Sequence, residues 1–76
     1  MTLHRSPLSA AQWMRQIFSA KTALDGGIVR RKTADVDRII GKEKFLDEVE
    51  RRGFRALENN GQILIVCNTD PVRILR

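Results

Sequence analysis

The chain has 76 residues, 42% of them hydrophobic and 30% charged, which suits one compact core and is too short for two. A single cysteine excludes an intrachain disulfide framework and a multi-cysteine zinc site, and fits a reducing, cytoplasmic setting. Fourteen Lys and Arg against nine Asp and Glu leave a formal charge of +5, a balance that attracts nucleic acid or an acidic protein.

Residues 1–7 have no apolar period and read as a loose arm carrying His4. They lack the apolar run of a signal peptide, and the longest such run in the chain, Ile63-Cys67, is far short of a membrane span. No membrane role is expected. An ordered core is expected over residues 8–67, with residues 68–76 as a tail. Ser9 and Gln12 stand at the N-cap and N3 positions of a capping box, and Leu8 and Trp13 at those of a hydrophobic staple. The first helix then runs along Ala10, Trp13, Met14, Ile17, Phe18, Ala20 and Leu24 as one broad apolar face, and Gly26-Gly27 ends it.

Ile28-Arg31 reads as a short strand. Thr33 is placed to cap a second helix over Ala34-Ile40, with Val36, Ile39 and Ile40 on one side. Gly41 interrupts the run, so two helices meet at a tight corner. The next helix spans Lys42-Arg52 and aligns Phe45, Leu46 and Val49 within about one quadrant. Asp47-Arg51 and Glu48-Arg52 are acid-before-base pairs, each worth about 0.2–0.5 kcal/mol on an exposed helix. Gly53 and Phe54 fit a Schellman ending, with Phe54 reaching back to Val49.

Phe54-Leu57 and Gln62-Cys67 are strands joined at Asn60-Gly61, a pair suited to the positive φ angles of a tight hairpin. Ile63-Cys67 is apolar on both alternating faces, the pattern of a central strand covered on both sides. The tail has two readings: Asp70-Pro71 supplies cap and first-turn residues for a short helix, and Val72-Arg73-Ile74-Leu75 also suits an extended segment.

The expected fold is a small single α+β domain: three helices packed on a short three-stranded antiparallel sheet or β-hairpin. The order helix, strand, helix, helix, strand, turn, strand over residues 9–67 resembles the winged helix, a variant of the helix-turn-helix. That resemblance implies a helix-turn-helix pair at Ala34-Ile40 and Lys42-Arg52, a wing tip at Asn59-Gly61, and groove binding by the second helix of the pair. The residues of that helix oppose such a role. Lys44, Asp47, Glu48 and Arg51 face outward beside Glu43 and Glu50, and phosphates repel carboxylates.

Catalysis has little to stand on. His4 lies in the arm, and Cys67 ends an apolar strand with no histidine near it in sequence. No enzyme activity, cofactor or metal is expected. Charge is uneven along the chain: residues 1–40 hold seven basic and three acidic groups, residues 41–76 seven and six. The candidate nucleic-acid-binding residues are therefore Arg30, Arg31 and Lys32, extended by Arg38 and Arg55. A strand would send Arg30 and Arg31 to opposite sides. Trp13, Met14, Ile17 and Phe18 form a stripe wide enough to serve a homodimer or another protein partner. A small basic regulatory protein that associates with nucleic acid is one expectation; an adaptor or inhibitor acting through protein contacts is the other.

Overall fold

The computed structural model describes residues 9–76. The arm, His4 and the Leu8 half of the staple lie outside the described residues. From Ser9 onward the chain forms α1 (Ala10–Ser19), α2 (Lys21–Leu24), β1 (Ile28–Lys32), α3 (Thr33–Ile39), α4 (Lys42–Arg51), β2 (Arg55–Asn59) and β3 (Gln62–Val66). The sheet is antiparallel in the order β1-β3-β2. The domain is thus a small α+β unit with a winged-helix-like arrangement, its last strand in the centre.

The start of α1 is set locally. Gln12 donates its backbone N–H to Ser9 Oγ at 3.2 Å, and Ser9 N–H donates to Gln12 Oε1 at 2.9 Å. Both arms of the expected box are made. The helix does not continue to Leu24 as its apolar spacing suggested. Ala20 is extended, with ψ at 148°, and the chain restarts as the one-turn α2. The redirection buries Ala23 and leaves Leu24 in solvent. Packing at Ala23 thus outweighs the unbroken helical period.

β1 runs straight into α3. Thr33 N–H is the last ladder donor, bonded to Gly61 O at 2.9 Å, so Thr33 is the first helical residue. The cap position falls to Lys32, without a side-chain bond. Gly41, at φ 99°, turns the corner into α4 and keeps α3 and α4 separate. The Schellman ending of α4 forms as spaced: Phe54 N–H bonds Val49 O at 3.0 Å and Gly53 N–H bonds Glu50 O at 2.9 Å. This brings Phe54 to within 6.1 Å of Phe18, whose ring also stacks 6.0 Å from Phe45.

Val29, Ile63, Ile65 and Cys67 face the helices and join Ile17, Phe18, Ala23, Val36, Phe45 and Val49 in the core. Among the described residues no helix covers the opposite face of the sheet, which Val72 and Ile74 of the tail border at Arg55 and Leu57. Leu64 and Val66 are half-buried, while Ile28 and Leu57 beside them are exposed. The expectation that β3 is covered twice is therefore corrected: three main helices supply apolar surface for one layer only. The short helix expected after Asp70 is also absent, and residues 71–76 have no regular secondary structure. Asp70 N–H is held by Asn68 Oδ1 at 3.0 Å, and Val72, Ile74 and Leu75 stay exposed, so no burial of the kind Ala23 gives α2 offsets the cost of nucleating one turn.

Candidate functional site

The sheet register places the basic residues. Arg30 pairs with Leu64 and, across β3, with Leu57; Lys32 aligns with Gln62 and Asn59; Ile28 aligns with Val66 and Arg55. Side chains alternate along a strand, so these nine residues share the open face. Three are cations and none is a carboxylate. Arg30, Lys32 and Arg55 are all exposed there. At the turn end of this face Arg30, Asn59, Asn60, Gln62 and Leu64 line a recess of about 300 Å3. Asn60 and Gly61 hold that turn with φ of 52° and 75°, the mirror-type geometry that fits strand twist.

Arg31 and Arg38 do not join this group. Arg31 alternates to the helix side, and its Nη1 donates to Arg30 O at 2.6 Å. The bond has a structural reason. Cys67 N–H bonds Gly27 O and Thr33 N–H bonds Gly61 O, so odd-numbered residues of β1 face β3. Ile28, Arg30 and Lys32 turn their backbone groups to the outer edge, where Arg31 caps one free carbonyl. Arg38 sits on α3 and pairs with Asp35 at 3.0 Å.

The α4 surface has another character. Lys42–Arg51 holds three basic and four acidic residues, a balance of −1. Glu48 draws both following arginines: Arg51 Nη2 lies 2.7 Å from its Oε1 and Arg52 Nε 2.7 Å from its Oε2. The Asp47-Arg51 pair suggested by spacing gives way to this arrangement. Hydrogen bonding from Arg51, with that from Arg52, holds the Glu48 carboxyl below the usual glutamate value against the effect of its burial. Arg52 also lies 4.2 Å from the Phe18 ring centroid, so the cluster ties the end of α4 to α1.

The apolar stripe of α1 goes mainly to the core. Ile17 and Phe18 are buried, and Trp13 and Met14 are partly buried against them. Met14 also lines a groove of about 290 Å3 between α1 and α4, with Ile40 beside it and Arg15 and Lys44 among its other residues. Cys67 is buried; desolvation pushes its thiol up, and Sγ donates to Ile65 O at 3.6 Å. That environment disfavours a thiolate.

Among the described residues no three His, Cys, Asp or Glu side chains gather to hold a metal ion. No helix among them is long and apolar enough to cross a membrane. The open sheet face was missed in the sequence because its members are recognisable only once both strand registers are known. The alternation of Arg30 with Lys32 was the one local signal for it. Comparison with protein-family models, curated proteins and solved structures finds no match to this chain.

Proposed function

We propose that the protein is a non-catalytic regulatory module that associates with nucleic acid through the backbone phosphates, using the open face of its sheet. The observation that carries this reading is the charge of that face: Arg30, Lys32 and Arg55 project from nine positions that include no carboxylate. The net charge of α4 argues against contact by that helix, since each carboxylate there would be repelled. Arg31 and Arg38, engaged elsewhere, are left out of the binding group.

Fluorescence anisotropy across a salt series tests the reading. Three phosphate contacts on a duplex give a slope of about −2.7 in log K against log salt, so affinity falls roughly 40-fold between about 50 and about 200 mM. Replacing Arg30, Lys32 and Arg55 together with glutamine should abolish most of that dependence, while Lys44→Gln and Arg51→Gln should leave it intact. Absence of micromolar binding at low salt would reject the proposal.

A second reading is favoured by the apolar groups in the same region. Ile28 and Leu57 are about half exposed, and Ile74 of the tail, 86% exposed, lines a recess with Leu57 and Arg55. These suit a protein partner. A second copy placed face to face would oppose like charges, so the partner would be acidic. Light scattering after size exclusion separates this reading from self-association: a monomer of 8.7 kDa leaves an acidic partner, and a dimer overturns it.

A further inference from the structure

We infer that the open sheet face takes a double helix, straddling a groove with cations set against both backbones, in preference to a single strand. This rests on the nucleic-acid reading above and specifies its substrate. None of the nine positions of the face is aromatic. Phe18 and Phe45 are buried in the core, and Phe54 and Trp13 pack against it. Proteins that hold single strands without sequence preference rely on aromatic side chains as stacking platforms. This face has none to offer.

Arg30 and Lys32 stand on β1, Arg55 stands on β2, and β3 between them presents Gln62, Leu64 and Val66 outward. Arg30 stands across from Leu57 and Arg55 across from Ile28, so the nearest cations of the two outer strands are two strand spacings and two residues apart, about 12 Å. That matches the width of the B-DNA major groove, about 12 Å. A single strand offers one backbone, which Arg30 and Lys32 of β1 could follow while Arg55 of β2 stayed idle. A duplex offers two. Leu64 on β3 and Leu57 beside Arg55 on β2 can lie against sugars, and the side-chain amides of Gln62 on β3 and Asn59 on β2 supply donors and acceptors toward the groove. Duplex DNA and duplex RNA share this two-backbone chemistry.

The test uses the full chain with a 16-base-pair mixed-sequence DNA duplex, the same sequence as duplex RNA, and the separated strands of each. Anisotropy is read at about 50 mM salt. At least one duplex should bind about tenfold or more tightly than its own strands. Arg55→Gln, which removes the one cation of β2 on this face, should narrow that ratio, and Arg55→Lys, which keeps the charge, should restore it. Lys32→Gln should weaken duplex and single strand alike. Far-ultraviolet circular dichroism of each variant confirms that the fold is kept. Single strands that bind as tightly as the duplexes, or a ratio indifferent to Arg55→Gln, would overturn this inference and leave nucleic-acid binding standing. No binding by any probe would defeat both.

Discussion

Replacing Gly53 with alanine tests how the end of α4 is made, and Gly61→Ala provides an internal standard. The two glycines have nearly the same backbone, φ 77° and 75°, so the cost of forcing a Cβ into the left-handed region should be the same at both, about 1–2 kcal/mol. Their surroundings differ. A Cβ at Gly61 meets nothing within 4 Å, whereas one at Gly53 lies 3.2 Å from Thr69 Cγ2. Thr69 is exposed and its side chain is free to turn away, so the excess at Gly53 should stay below about 0.5 kcal/mol, the scale of a small rotamer adjustment. Each variant should therefore melt about 4–16 °C lower, using about 4–8 °C per kcal/mol for a domain of this size. Urea unfolding followed by circular dichroism gives both free energies at a common slope. An unchanged midpoint for Gly53→Ala would refute the Schellman geometry as a source of stability. A Gly53 excess above about 1 kcal/mol that disappears in a Thr69→Ser background would instead show that the methyl contact dominates.

Ser9→Ala should cost about 0.5–2 kcal/mol through loss of the capping box, with chemical shifts showing fraying at Ala10 and Ala11. Ile65→Ala removes a fully buried side chain at the centre of the sheet and should cost about 2–5 kcal/mol in the same urea assay. Because the Glu48 carboxyl is depressed in the folded state, its stabilising effect is present above the ordinary glutamate value and is lost as pH falls through the depressed one. Acid titration of stability should therefore be shallower in Glu48→Gln than in the native chain; identical acid limbs would count against the Arg51–Glu48–Arg52 cluster.

Local chemistry was the most legible part of this sequence. The Ser9–Gln12 box, the Gly53–Phe54 ending and the Asn60-Gly61 turn each depend on a few neighbouring residues, and all three form at the expected positions. The order of elements and the central place of β3 were legible for a related reason: Ile63-Cys67 is too apolar for an edge. Decisions made by tertiary packing were not. The break at Ala20 reflects where Ala23 must go, and the transfer of the cap from Thr33 to Lys32 reflects a ladder bond to a residue 28 positions away. For the site, alternation separated Arg30 from Arg31 in advance. That Arg55 stands across the sheet from Ile28, on the same side as Arg30, follows only from two registers through β3.

The central place of β3 also sets the order in which this chain can fold. β1 and β2 bond only to β3 within the sheet, and β3 comes after every other element in the chain. While the protein is being synthesised, β1 therefore waits some thirty positions for its partner, with Val29 unable to find Ile65. Until Gln62–Val66 leaves the ribosome, only helices can form. The Asn60-Gly61 hairpin closes a short loop and can join β2 to β3 at once, on the microsecond scale. Addition of β1 then closes the long loop and carries the larger entropic cost. A chain arrested at Gly61 would hold two unpaired strands and an uncovered helical layer, the kind of species that chaperones retain. The domain thus becomes stable only after β3 has been made, the hairpin closing before β1 joins it.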